Sequence, residues 1–412
     1  MILKNLIKEE KKFFVYGVAF CSHFTQAITI ILLSLYGQSL GANNVEVGLL
    51  FTSFSLAALI SAPLWGILSD YMGRRKPVIL SMAGMVLSCF LMILVKNIYL
   101  LIGVLFLCGI FFMGNRPIIN TMIVEFSSER AGREVGFLNI AREFAWIAGC
   151  LLAGLIGEIN LIYNFYTGLL IAIIGLFLSF FLKESEKKIN NKSKKILPSL
   201  NFGSFVVNFR YLIHSTLFFL CVAIIISSIS GYGVFVLLPI YLAQLHISKS
   251  MIGIIYAVES SIDIILFPLM GKFCDQSVKG SVFLIILGFI ASAFKLFLYT
   301  ICYIPIHFII AQFFAAISWT AFVVGAVTFT GKVSPYEKRG EAMGIVESSS
   351  YLGGLAGPII TSLFSKIWDF RTTIQIFIIF PVLSALISLL KLKLKTPLST
   401  EEDKDFIRKG IN

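Results

Sequence analysis

Twelve long apolar runs alternate with short polar stretches along the 412 residues of the chain. They occupy 13–38, 46–69, 77–96, 98–125, 136–158 and 162–182, then 212–243, 250–272, 280–301, 304–331, 341–365 and 371–393. A run of about 20 residues is enough for a helix to cross the hydrocarbon core of a bilayer. Backbone polar groups find no water in lipid, so each run must satisfy its own N–H and C=O groups and is predicted to be a helix. The short alternating strands of an outer-membrane barrel are absent from the sequence. The expected fold class is all-α: an integral membrane protein with twelve transmembrane helices.

The pattern also repeats. "PLWGILSD" (63–70) returns as "PLMGKFCD" (268–275), and "RAGREVGF" (130–137) returns as "KRGEAMGI" (338–345). Gly132, Gly136 and Gly149 thereby match Gly340, Gly344 and Gly357. The longest polar stretch, "KESEKKINNKSKKILPSLNFGS" (183–204), falls between spans 6 and 7. Two pseudo-symmetric six-helix bundles are expected, an arrangement typical of duplicated membrane carriers. Their boundaries are 1–183 for the first bundle, 184–211 for a cytoplasmic linker, and 212–412 for the second bundle with a short cytoplasmic tail.

Composition agrees with a membrane solvent. Hydrophobic residues make up 58% and charged residues 14%, against about a quarter charged in a soluble domain. Mean hydropathy is +0.90. The net charge of +12 would suit a nucleic-acid binder, but its distribution argues otherwise. The amino terminus, every second loop and the tail hold 27 of the 34 Lys and Arg, while the opposite loops hold Lys96, Lys249, Lys366 and Arg371. This asymmetry sets topology: both termini are expected in the cytoplasm and the chain in the cell membrane as a multi-pass protein, with no nucleic-acid partner. The first span is too long for a signal peptide and lacks a small-residue cleavage site after it, so it is expected to be retained. Five of the seven Cys lie in spans, Cys302 at the edge of one and Cys274 at a cytoplasmic edge, a pattern that predicts neither disulfides nor a metal site.

The stretch "GILSDYMGRRKP" (66–77) packs an acid and three bases between two apolar runs. Gly66 permits close helix approach, Asp70 can face the positive end of a helix, Gly73 allows a tight turn, and Arg74 and Arg75 hold the loop inside. The pattern G-x-L-x-D-x-x-G-R-R resembles motif A of the major facilitator superfamily, and Gly271 with Asp275 resembles its weaker second copy. The resemblance covers nearly the whole chain. It implies twelve spans in two halves with a cavity lined by spans 1, 4, 7 and 10, and a motif that locks the cytoplasmic face in an outward-open state. By the same resemblance Asp70 bears on the start of span 11 near Gly340, and Arg74 engages an acid at the end of span 4, where Glu125 stands. "ERAGREVGF" and the chain length look most like the drug:proton antiporter group. That group's pattern has an Arg where Val104 stands and a Gly-Pro where Cys150 follows Gly149.

Charges within the spans mark sites or pairs, because an ionisable group in hydrocarbon is costly. Arg116, flanked by Asn115 and Asn120, and Glu143 fall at similar depth on consecutive antiparallel helices, either as a structural pair or as a substrate or coupling site. Arg142 neighbours Glu143 in sequence but points about 100° away. Glu259 and Asp263, four apart on one face of span 8, are candidates for exchanging a proton, with Lys295 as a partner for Glu259. Glu347 in span 11, near the cytoplasmic interface, reads as part of the gate. His23, Gln26, Tyr232, Gln312 and Trp319 collect at mid-depth in spans 1, 7 and 10 and complete the candidates. The glycines of "GYG" (231–233) read as loosening span 7.

No Walker loop, dinucleotide fingerprint or H-E-x-x-H motif is present, so there are no catalytic residues, no cofactor and no enzyme activity to expect. The expected function is secondary active transport by alternating access: proton-coupled efflux of amphipathic or drug-like molecules by a monomer in the lipid bilayer. The alternatives are transport of a defined hydrophilic solute, a sugar or organic anion, and a transporter-fold sensor or scaffold.

Overall fold

The computed structural model describes residues 2–126, 131–184, 216–275, 278–334 and 339–392, of which 2–11, 131–132, 275 and 340–341 are described by backbone alone. The linker from 185 and the tail from 393 lie outside the described residues, as do the side chains of Asp275 and Gly340.

Fourteen helices are present among the described residues: α1 (Ile2–Ile30), α2 (Leu33–Ser39), α3 (Asn44–Met72), α4 (Arg75–Leu94), α5 (Ile98–Phe126), α6 (Ala131–Ile159), α7 (Tyr163–Ser179), α8 (Thr216–Gln244), α9 (Lys249–Asp275), α10 (Val278–Ile301), α11 (Pro305–Val333), α12 (Arg339–Ile367), α13 (Phe370–Phe377) and α14 (Ile379–Lys391). All twelve expected spans are helical. The first continues from α1 into α2 after a turn at Ile31–Leu32, and the last breaks at Ile378 between α13 and α14. Helix starts follow local chemistry. Asn43 accepts from Val45 N and Glu46 N at 2.9 and 3.1 Å while Glu46 accepts from Asn43 N at 2.9 Å, a reciprocal cap on α3. Asp369 caps α13 through Thr372 N at 3.1 Å, and that bond with the Thr372 hydroxyl holds its carboxyl below the ordinary range. Pro305 sits at the start of α11.

The duplication is visible in the packing. In the first six spans α1 packs on α6 and α7, α3 on α5, and α4 on α5 and α7. In the last six the equivalent set is α8 on α12 and α14, α9 on α11, and α10 on α11, α13 and α14. Two large contacts join these sets, α6 with α9 and α3 with α12. Under the repeat each maps onto the other, so the two sets meet about a pseudo-two-fold axis.

Both joints are closed at one end only. The far end carries the α2–α3, α6–α7, α8–α9 and α12–α13 turns; the near end carries the α3–α4, α5–α6, α9–α10 and α11–α12 turns. At the far end the backbones touch. A Cβ on Gly48 would stand 2.7 Å from Pro358 O, one on Gly154 2.7 Å from Lys249 O, and one on Gly253 2.4 Å from Cys150 O. Only glycine fits such approaches. Thr52 Oγ1 donates to Leu355 O at 3.0 Å, and Asn44 Nδ2 to Ser365 Oγ at 3.2 Å. Lys249 Nζ donates to Gly157 O at the end of α6 (2.9 Å), and Glu158 accepts from Ser250 N at the start of α9 (2.9 Å). Each charge thus sits at the helix end whose dipole favours it.

At the near end the same helices splay. A Cβ on Gly66, Gly136, Gly271 or Gly344 would meet nothing within 4 Å. An open cleft between α6 and α9 is lined by Gly136, Asn139, Ile140, Glu143, Ile264, Phe267 and Pro268. Gly66 was expected to give close approach; in this conformation the near half of α3 stands away from α12, and the close-approach glycines are those of the far end. The "GYG" glycines do not loosen span 7 either. α8 runs unbroken, and Gly233 faces Gly357 O and Thr361, where a side chain would overlap α12.

Wedging the far end should open it. Gly253→Leu, with Gly253→Ala as the milder variant, is expected to raise labelling of the buried Cys150 by a membrane-impermeant maleimide, more for Leu than for Ala. Unchanged labelling in both variants would show that the α6–α9 approach does not hold the far end shut.

Candidate functional site

On α5 and α12 the two halves meet where Tyr351 on α12 donates to Met113 Sδ on α5 at 3.3 Å. Arg116 lies three residues beyond Met113 along α5, and Glu347 four before Tyr351 on α12. Both steps run toward the near end, and each is about one helical turn, roughly 5 Å. One exposed charge from each half therefore stands just below the point where the halves meet. Arg116 and Glu347 both act electrostatically on the hydroxyls of Tyr232 and Tyr351, and the Tyr232 ring lies against Gly354 of α12. Pro117 lacks an N–H, so the carbonyl of Met113 has no helical donor and adds an acceptor at this apex. Glu347, read from sequence as a gate residue near the interface, belongs to the apex, and Tyr351 was not singled out at all. The signal for Tyr351 was its one-turn spacing from Glu347.

Arg116 and Glu143 do not form an ion pair. The physical reason is Arg142. It is only 4% exposed and fills the face of α6 toward α5, donating to Asn120 Oδ1 (2.8 Å), Asn139 Oδ1 (3.2 Å) and Arg116 O (3.4 Å). Glu143 is consequently turned about 100° away, toward Ser260 and Glu259 of α9. Asn120 thus positions Arg142 rather than a ligand. Asn115 points away from the cleft, into the first bundle, where its Nδ2 lies 3.4 Å from Ser22 Oγ and 3.0 Å from Met82 Sδ. His23 lies on α1 with Arg142 and Arg116 as its charged neighbours, and its Nδ1 has no hydrogen-bond partner. Gln26, one turn on, is half-buried.

Three carboxyl groups follow one another along the α6–α9 joint. Glu259 is the charged neighbour shared by Glu143 and Asp263, and Lys295 stands toward Glu259 without ion-pair contact. Asp263 is 2% exposed and accepts from Thr320 Oγ1 on α11 at 2.5 Å. Gln312 and Trp319 lie elsewhere. Gln312 is buried and accepts from Tyr299 of α10 at 3.2 Å, and Trp319, on that same face of α11, contacts Phe322 at 6.4 Å between ring centroids. Gln312 thus serves the α10–α11 contact, while Trp319 stays exposed with a ring neighbour on its own helix.

At the near end, Arg74 Nη1 donates to Asp70 (2.6 Å) and Ser69 Oγ (2.7 Å), and its Nη2 reaches Glu125 at 3.4 Å. The sequence placed Arg74 and Glu125 together, and so does the structure. Asp70 was expected to bear on the start of α12. Its side chain is instead 73% exposed and held by Arg74, because the near half of α3 has moved away from α12. Glu184, just past α7, accepts from Arg74 N (2.5 Å) and Arg75 N (3.3 Å), while Arg75 Nη2 donates to Phe180 O at the end of α7 (2.6 Å). Gly73, at φ +83°, carries no Cβ because one would strike the Glu184 carboxylate at 2.6 Å. The turn and the end of span 6 are therefore clasped through two helix ends, a contact no local pattern announced.

No cluster of His, Cys, Asp or Glu among the described residues has metal-binding geometry, and all seven cysteines are free and buried. The arrangement is a cleft that ends on opposite charges, with buried carboxyl groups beside it. Comparison with known proteins agrees with this architecture. The chain is similar to an uncharacterized MFS-type transporter of Methanocaldococcus jannaschii, 22% identical over 93% of this chain and 99% of that one. It is also similar to a multi-drug resistance efflux pump PmrA homolog of Lactococcus lactis, 24% identical over 90% and 92% of the two chains. Its fold matches a crystal structure of a point mutant of the nucleoside transporter NupG with a TM-score of 0.82, at 13% identity over 93% of this chain and all of the other. The family model for the Major Facilitator Superfamily matches residues 15–294 and 220–409, and the chain, a multi-pass membrane transporter rather than an enzyme, belongs to that family.

Proposed function

We propose that the chain is a secondary active transporter that works by alternating access and exports amphipathic or drug-like small molecules in exchange for protons. The observation that carries this is the one-sided closure: two pseudo-symmetric bundles sealed at the far end, with a cleft from the near end that stops at charged side chains. The distribution of basic residues puts the near end and both termini in the cytoplasm, so this conformation is inward-open. The efflux reading draws support from the relatives named as multidrug pumps. The protein acts in the cell membrane as a monomer, its two halves supplying both walls of the site.

Asp263 is the proposed proton carrier. It is buried, bonded to one hydroxyl, and without a cation within ion-pair distance among the described residues. A carboxyl in that setting, beside a cleft that fills and empties with water, is placed to take up and release a proton. Arg116 favours a second reading, transport of a defined solute with an anionic group, because it is exposed at the apex without an ion-pair partner among the described residues.

In proteoliposomes with an imposed pH gradient, wild-type protein is expected to move a lipophilic drug-like probe against its own gradient. Asp263→Asn should abolish that accumulation and keep substrate exchange at equal pH. Accumulation undiminished in Asp263→Asn would place the carrier elsewhere, with Glu143 the next to test. If wild-type protein moves no member of a panel of drug-like, sugar and organic-anion probes, the transporter reading falls to the sensor or scaffold alternative.

Motif A is proposed to act when the near end closes, with Asp70 then facing the start of α12. One charge-assisted hydrogen bond contributes about 1.5 kcal/mol or more, and a loss of that size slows a step about tenfold. Asp70→Asn should therefore insert normally and turn over roughly ten times more slowly. Wild-type turnover in that variant would remove the motif from the gating step.

A further inference from the structure

Arg116 and Glu347 are the two charges that the first and second bundles bring to the apex, and neither has an ion-pair partner among the described residues. We infer that the apex recognises a zwitterion built on an apolar or aromatic body, its anionic group held by Arg116 and its cationic group by Glu347. This deepens the transporter reading and rests on it.

The argument is one of dehydration. In the inward-open conformation both side chains are exposed and water serves them. Closing the near end removes that water. A charge left unpaired in the closed protein is heavily penalised, and two are penalised twice over. A neutral ligand leaves the two with only each other and the Tyr351 hydroxyl beside Glu347, and an anion or a cation alone leaves one of them without an opposite charge. A zwitterion that spans the gap leaves none.

The surroundings fit such a ligand. Tyr232 and Tyr351 lie near both charges, and their rings suit an apolar body and its cationic end. The carbonyl of Met113, freed by Pro117, accepts from an ammonium. Arg142 is buried and turned into the α5–α6 contact, with Nη1 on Asn120 and Asn139 and Nη2 on Arg116 O, leaving only its buried Nε without a partner. Glu143 is a charged neighbour of Arg116 but makes no ion-pair contact with it, its hydrogen bond being with Ser260 of α9. The recognition therefore falls to one residue from each half, which makes closure depend on the ligand bridging them.

The test uses 4-(aminomethyl)phenylacetate and its two halves, phenylacetate and benzylamine, titrated calorimetrically into the purified full-length protein. The zwitterion is expected to bind at least tenfold tighter than either half. Arg116→Gln should bring it down to the affinity of benzylamine and leave benzylamine itself unchanged. Glu347→Gln should bring it down to that of phenylacetate and leave phenylacetate unchanged. Unchanged thermal midpoints serve as the folding control; should either Gln variant unfold, Arg116→Lys and Glu347→Asp should keep the preference for the zwitterion. The inference is overturned if the three probes bind within twofold of one another, if none binds, or if both variants weaken every probe equally. The last result is the signature of two residues that pair only with each other. Wild-type proton-driven movement of a lipophilic probe would persist in each of those cases, so failure here is distinct from failure of the transporter reading.

Discussion

The close approach of backbones at the far end is the constraint on which the rest of the structure depends. Gly48, Gly154 and Gly253 bring α3 onto α12 and α6 onto α9 with no room for a Cβ. Lipid provides no hydrophobic drive for helices to associate, so contact of this kind relies on close packing and on hydrogen bonds between the helices. Here the bonds from Thr52, Asn44 and Lys249 run alongside the glycine contacts. Because the two joints are related by the internal repeat, they close the same end together. The near-end glycines Gly66, Gly136, Gly271 and Gly344 stand in open space, at repeat-related positions on the same four helices.

The position of the charged apex follows from that closure. The halves meet as deep as Tyr351 and Met113, and Arg116 and Glu347 come one turn below. A midplane charge is tolerable there because it faces a cleft open to water. Asp263, behind the joint, is buried against Thr320, and Arg142 is buried with its Nη1 and Nη2 bonded to Asn120 and Arg116 O of α5. Exposure, pairing and burial thus separate the ionisable groups into exposed, isolated and hydrogen-bonded sets, the first two being those proposed for ligand and proton. Sequence depth alone places Arg116, Arg142 and Asp263 together near the midplane and Glu347 toward the cytoplasmic interface.

Much of the architecture was legible in the sequence because one physical rule dominates it. Apolar runs of bilayer length must be helices, and the recurrence of "PLWGILSD" and "RAGREVGF" betrays the two-fold plan that the helix contacts display. Breaks within spans, at Ile31–Leu32 and Ile378, left no clear mark in runs that stay apolar throughout. The site was less legible. Depth suggested pairing Arg116 with Glu143, but the rotation of each helix decides which residue faces which neighbour, and Arg142 had taken that face. Gln312 and Trp319 were chosen as polar or amphipathic residues at mid-depth, and packing turned Gln312 toward Tyr299 of α10 and left Trp319 exposed beside Phe322 of its own helix. Glu184 escaped notice because its partner is a turn more than a hundred residues away in sequence. Asp70 and Gly66 make no contact with α12 in this conformation, and the proposed gate assigns that contact to a conformation in which the near end is shut.

The central claim is that the two bundles rock about the apex, so that one end closes as the other opens. Pulsed spin-label distances test it most directly, with one pair at Leu49 and Leu363 across the far end and another at Phe137 and Leu269 across the near end. In this conformation the far pair is expected to be short and the near pair long. A shift of pH or addition of a transported probe should lengthen the first distance and shorten the second together. Two distances that change in the same sense, or a near end that closes while the far end stays sealed in every condition, would contradict the account.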